Sequence, residues 1–269
     1  MSRWRLERSA FAVMGAILAL FLVAPLVALS GSVTWAELVM GLRSPLAGPA
    51  LAVSAFTTGV TLALVISFGT PLAWTLARTE SRAARVVETL VQLPIVVPPA
   101  VAGVALLLTF GRRGALAGWL YPDGISIAFT TAAVIMAEVF VSAPFFVQSA
   151  LHAFRRVDPK LLVVARTFGA SPFAVFFRVA LPLAAPGLLA GAAMSWARSL
   201  GEFGATLMFA GNLEGVTQTL PLAIYTALEA DLRAAQALSI LLVAIAFFLL
   251  MFVRVIDRRA PRGSEPWLD

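Results

Sequence analysis

Six long apolar stretches constrain this chain most, because about twenty predominantly apolar residues in a row cross a bilayer as a helix, which satisfies every backbone polar group within itself. They run roughly Ala10–Leu29, Ala52–Ala77, Val86–Phe110, Ile127–Gln148, Ala184–Phe209 and Ala234–Val253. The rest of the sequence agrees. Only 13% of the 269 residues are charged, where a soluble domain carries about 25%. The expected fold class is therefore an all-α integral membrane protein with six transmembrane helices. Membrane lipid is its solvent.

The basic residues give the expected orientation. Fifteen of the twenty fall before the first stretch, between the second and third, between the fourth and fifth, and after the sixth. Arg43, Arg112, Arg113 and Arg233 fall on the other side, and Arg198 lies inside the fifth stretch. The positive-inside rule then places both termini in the cytoplasm of a multi-pass protein of the cell membrane. The net charge of +6 reflects this sorting and gives no sign of nucleic-acid binding. A competing reading of the first stretch is a cleavable signal peptide, with Arg3–Arg8 as its basic region, but the apolar run is long for one. There is no cysteine, which excludes disulfides and thiolate chemistry. His152 is the only histidine, so a metal site is not expected.

The polar interruption from Arg155 to Pro182 reads as two short helices with a stop between them. Asp158 caps the first, with Pro159 at its first position. Gly169 supplies a left-handed stop after Phe168. Ser171 caps the second, which starts at Pro172 and is expected to end near Leu181, at Pro182. The spacing Ala165, Gly169, Val179, Leu181, Pro182 resembles the EAA loop of ABC-transporter permeases. This chain has Val163 and Val164 where that family has Glu and Ala. The resemblance implies a type I ABC importer permease fold with cytoplasmic coupling helices. It further implies that Val163, Ala165, Arg166, Gly169, Ser171, Pro172, Leu181 and Pro182 couple the chain to an ATPase.

Within the apolar stretches, several polar positions stand out. Ser54, Thr58 and Thr61 share one face of the second, as pathway wall or as helix packing. Trp35, Trp119 and Tyr121 read as interface anchors. Pro94, Pro98 and Pro99 break the third stretch, and such backbone is tolerated at membrane depth where it is buried or lines a cavity. Glu138 is the lone carboxylate of the fourth, with Thr131, Ser142 and Ser149 near it on the helical wheel; a structural role weighs at least as much as a transport role. On the fifth, Gly187, Gly191, Ser195, Arg198, Glu202 and Ala205 form a small and charged face opposite Leu189, Trp196, Leu200, Phe203 and Leu207. Arg198 and Glu202 are spaced to neutralise each other. Intramembrane charge also marks pathways, so Pro98, Pro99, Glu138, Ser195, Arg198 and Glu202 are the candidate pathway residues, on a face expected to look toward a dimer axis.

The run from Trp196 to Asn212, followed by Thr217–Tyr225, resembles molybdate permease subunits; sulfate permeases are similar. The resemblance covers nearly all six stretches. It implies residues 1–9 as a cytoplasmic N-terminus, 10–51 as a first helix with an external segment, and 52–253 as the permease domain with its coupling loop at 155–182. Residues 254–269 form a short basic tail. No phosphate-binding P-loop occurs, since the only lysine, Lys160, precedes Leu161. The chain is therefore not expected to be an enzyme or to hold a cofactor; ATP and Mg would be bound by a partner. The resemblance implies a pair of ATPase subunits, a second copy of the permease, an external binding protein and an oxyanion cargo. An ion-coupled secondary transporter would use Glu138 or the Arg198–Glu202 pair, but no convincing inverted repeat appears. An intramembrane serine hydrolase is a third class, for which His152 has no evident serine partner.

Overall fold

The computed structural model describes residues 2–120 and 126–259, with helices α1 (Ser2–Gly31), α2 (Trp35–Leu42), α3 (Ala47–Ala77), α4 (Arg82–Val96), α5 (Pro99–Phe110), α6 (Ala117–Leu120) and α7 (Thr131–Arg155) in its first part. Then come α8 (Pro159–Thr167), α9 (Pro172–Val175), a wide π turn (Phe176–Ala180), α10 (Leu181–Leu200), α11 (Gly204–Ala210), α12 (Leu220–Ala230) and α13 (Leu232–Arg259). Tyr121 and residues 260–269 of the tail lie outside the described residues. Among the described residues, five helical runs are long and apolar enough to cross a bilayer. The sixth crossing is a bent pair.

That pair, α4 and α5, is the third stretch, broken at Pro98 and Pro99 as expected, though Pro94 stays inside α4; the two helices meet at 116°. Val97 is extended (ψ 125°) because the ring of the following Pro98 disfavours helical backbone before it. Pro99 then starts α5, where its missing N–H is no loss. The fifth stretch is corrected at both ends. Its helix runs Pro172–Leu200, so Pro182 does not end the second elbow helix. The π turn sends the Leu181 N–H five residues back to Phe176 O, and this widening accommodates a proline that would otherwise interrupt the helix. At its far end the helix stops at Leu200, before Glu202.

The centre of the bundle is α7, packed against α3 and α10. A β-carbon at Gly191 would lie 2.7 Å from that of Ser149, and Gly187 sits as closely on Ala153. The two glycines bring α7 and α10 close enough for Ser149 Oγ to donate to Gly187 O at 2.7 Å. One apolar core, containing Phe146, Leu151 and Phe154, lies at the elbow end. A second, around Val134 and Phe209, lies under α11, and a third joins Ala50, Leu220 and Leu238. The ends of the bundle are marked by contacts between distant segments. Arg78 donates to Val157 O beside the elbow; Thr131 Oγ1 donates to Val216 O and Leu220 N to Ser54 Oγ toward the other end. Helix α2 lies at that second end, closed by a Thr34–Glu37 capping box. Helix α1 touches the bundle at α13, and its side chains such as Phe11 and Phe21 stay exposed.

Candidate functional site

The elbow forms as its capping residues dictate. Asp158 accepts from Lys160 N at 2.9 Å, and Ser171 Oγ accepts from Ala174 N at 3.2 Å. Gly169 takes φ +82°, and the N–H of Ala170 bonds back to Ala165 O at 3.1 Å, completing the helix stop. The buried side of the elbow is Leu162, Val175 and Ala180. Its outer side is apolar: Phe168 is 87% exposed and Phe173 74%, with Val163 and Val164 also exposed. The pins that hold it were not evident from sequence. Arg78 donates to Phe154 O at 3.1 Å and lies 4.8 Å over the Trp74 ring. Burial lowers the pKa of its guanidinium from the ordinary value. Trp74 in turn meets Phe154 and Phe176 edge-on, each at 5.3 Å. Arg155 forks onto both oxygens of Glu88 at 3.0 and 2.7 Å. The only available signal was position: Arg78 follows directly on the end of α3.

Halfway along the bundle two helix breaks meet. A β-carbon on Gly204, at the start of α11, would lie 3.1 Å from Pro99 and 3.2 Å from Ala100 N, so the α4–α5 joint abuts the α10–α11 joint. Arg198 and Glu202 pair at 2.7 Å as their spacing predicts. The pair spans the helix end, however: Glu202 sits in the break, and its second oxygen accepts from Ala205 N at 2.8 Å, capping α11. Glu202 is buried, while the Arg198 side chain keeps 27% exposure. The small half of the expected outward face is taken up within the chain, since Gly187, Gly191 and the buried Ser195 turn inward. The Ser195 hydroxyl has no hydrogen-bond partner among the described residues.

Glu138 is buried against α3, where Thr57 and Thr61 donate to its two oxygens at 2.8 and 2.9 Å. Ser142 lies one turn away, its hydroxyl also without a partner among the described residues. The hydroxyls of α3 serve packing: Thr58 accepts from Trp196 Nε1 at 3.1 Å and Ser54 caps α12 through Leu220 N at 2.7 Å. Trp196 therefore has a polar bond, which the wheel had placed on the apolar side. A second network sequence reasoning missed links Gln218 to Asn212 Oδ1 at 2.9 Å, and Asn212 to Thr226 at 2.9 Å, in the loop between α11 and α12. Outside the spans, the backbone N–H and hydroxyl of Thr34 hold the Glu37 carboxyl below its ordinary range, and Arg233 at 3.3 Å adds to this.

Comparison with known proteins adds lineage to this geometry. Residues 69–262 match the family described as binding-protein-dependent transport system inner membrane component. The molybdenum transport system permease protein ModB of Mycobacterium tuberculosis is 44% identical over 245 residues, covering 91% of this chain and 92% of that one. ModB of Escherichia coli is 38% identical over 182 residues, 67% of this chain and 80% of that protein. Among solved structures, a bacterial ABC transporter that imports the acidic polysaccharide alginate superposes with a TM-score of 0.75 at 18% identity, over 96% of both chains. The methionine transporter MetNI, in an inward-facing form, gives 0.60 over 78% of this chain and 93% of that one, at 19% identity.

Proposed function

The chain belongs to the family of binding-protein-dependent transport system inner membrane components and is a multi-pass permease of an ABC importer, and we propose that its cargo is molybdate, with tungstate as the nearest substitute. The 44% identity to a molybdenum permease across nine-tenths of the chain carries this reading.

In the complete importer two copies of the chain pair with two ATPase subunits, which bind ATP and Mg. An external binding protein delivers the oxyanion. The elbow faces the cytoplasm and is received by the ATPase. Leu181 and Pro182 carry its motion into α10, while Val163, Ala165, Arg166, Gly169, Ser171 and Pro172 shape the docking surface. The exposed Phe168 and Phe173 beside a left-handed Gly169 support this assignment. A short helix seated in a partner's groove transmits rigid-body motion.

The pathway passes the meeting point of the two helix breaks, near Pro98, Pro99, Arg198 and Glu202. Arg198 offers the dianion a positive group that Glu202 tempers, so that cargo is not held too tightly to leave. Ser195 and Glu138 form the polar ground behind it.

The test is uptake of labelled molybdate by cells lacking their own importer and expressing this chain with its ATPase and binding protein. Accumulation that requires the ATPase, and that unlabelled sulfate competes for weakly, is the expected result. Uptake that survives removal of the ATPase indicates ion coupling, and stronger competition by sulfate reassigns the cargo.

A further inference from the structure

The end of the bundle away from the elbow holds a donor-lined pocket that transport as described above does not use. After α5 the chain folds back over that helix's last turn. Gly111, Ala115 and Leu116 give their N–H groups to the carbonyls of Leu107, Leu108 and Thr109 at 2.8, 2.9 and 3.1 Å. Arg112 and Arg113 stand at the crest of this fold-back. Their backbone N–H groups and their guanidinium groups have no partner among the described residues.

The two arginines, with Ser126 and Phe129, line an open pocket of about 630 Å³. Among the described residues, no carboxylate lines it. Ser126 Oγ already accepts from Ala128 N at 3.2 Å, which leaves its proton to donate. Phe129 is held at φ +64°, in the left-handed region that a bulky residue rarely enters. Its N–H reaches Phe209 O at 3.3 Å, and a β-carbon on the neighbouring Gly211 would lie 3.0 Å from its ring. A strained residue fixed from two sides gives the pocket a rigid rim.

Two adjacent guanidinium groups with no carboxylate beside them among the described residues repel each other, and an anion between them relieves that repulsion. Each offers a planar fork of donors that matches the paired oxygens of a tetrahedral oxyanion, and successive free N–H groups add to the same potential. We propose that this pocket is a receiving site for a tetrahedral oxyanion at the outer mouth of the bundle, bound by Arg112 and Arg113 with Ser126 as third donor. The identity of the oxyanion and the sidedness of the pocket rest on the permease reading above; the capacity to bind an anion does not.

Full-length protein in nanodiscs, titrated calorimetrically with molybdate and separately with sulfate at low salt, tests the proposal. The Arg112→Gln/Arg113→Gln pair is expected to weaken binding by at least about ten-fold, the scale of one lost charged hydrogen bond. The Arg112→Lys/Arg113→Lys pair, which keeps the charge and loses the fork, is expected to fall between. Melting temperatures of both variants report folding, and exposed positions of this kind leave them at the parental value. Equal affinity in parent and Gln pair, or no binding by the parent through the millimolar range, overturns the proposal. So does a Gln pair that loses affinity for the binding protein while its anion titration is unchanged, which makes the arginines a protein-docking face. Molybdate uptake by the parent is scored separately. Uptake without binding here sinks this site alone, whereas arginine-dependent binding without uptake sinks the cargo assignment alone.

Discussion

One carboxylate at position 202 serves two structures, and the single and double variants separate them. Glu202→Gln keeps an oxygen for Ala205 N but leaves Arg198 without its counter-charge. Uncompensated charge at membrane depth costs about 2.5–3.5 kcal/mol on insertion scales, so this variant is expected to lower the melting temperature or slow release of cargo. Arg198→Met with Glu202→Gln removes the charge imbalance. If the double variant regains stability but not uptake, Arg198 acts on the anion; recovery of both would reduce the pair to packing. Their pairing was legible from the four-residue spacing alone. The cap on α11 was not: Gly201 follows the last residue of α10, but a single glycine within an apolar run does not by itself fix a helix end. Gly169 was legible more completely, since caps on both sides leave it little choice but a positive φ. Gly169→Val is expected to cost about 1–3 kcal/mol locally and to weaken co-purification with the ATPase while the protein still inserts. Normal assembly and transport by that variant would refute the elbow assignment.

At the scale of helices, small residues set the spacing and prolines set the breaks. The contact of α10 with α7 through Gly187 and Gly191 leaves no room for a side chain, because a β-carbon at 191 already overlaps that of Ser149. Gly191→Val is therefore expected to destabilise the bundle by about 1–3 kcal/mol. Gly48→Ala, on α3 where nothing lies within 4 Å, is expected to be neutral or to stabilise by up to about 1 kcal/mol. Thermal unfolding in detergent compares the two; equal effects would show that the close approach carries no weight. The wheel identified this small-residue face correctly but could not say what it meets, since periodicity fixes a face and never its partner. Similarly, Pro98 and Pro99 announced a break in the third apolar stretch without its 116° angle, which depends on how α5 lodges against Gly204. Pro182 looked like a helix end because proline removes an α-helical bond; the π turn ahead of it depends on a backbone widening that no residue type encodes.

For the whole molecule, the two ends of the bundle differ in chemistry as well as in shape. The elbow end has Arg155, Arg156, Lys160, Arg166 and Arg178 along with the exposed Phe168 and Phe173, while the other end has the α2 segment, the α11–α12 loop and the arginine pocket. If the elbow is to receive an ATPase and the pocket an anion from outside, these ends must lie on opposite sides of the membrane. The chain contains no cysteine, so single introduced thiols report sidedness without background. Ser32→Cys, in the exposed turn between α1 and α2, is expected to react in intact cells with an impermeant maleimide. Ser171→Cys, at the N-cap of α9, is expected to react only after the membrane is opened. Both positions are exposed, so slow reaction cannot be ascribed to burial. The Ser171→Cys thiol should also become protected when the ATPase is bound, because the cap lies between Phe168 and Phe173 on the surface that docks it. Labelling of Ser171→Cys from outside would invert the orientation, and with it the assignment of the arginine pocket to the outer mouth. Correct sidedness without protection by the ATPase would leave the orientation standing and place the docking surface elsewhere on the elbow.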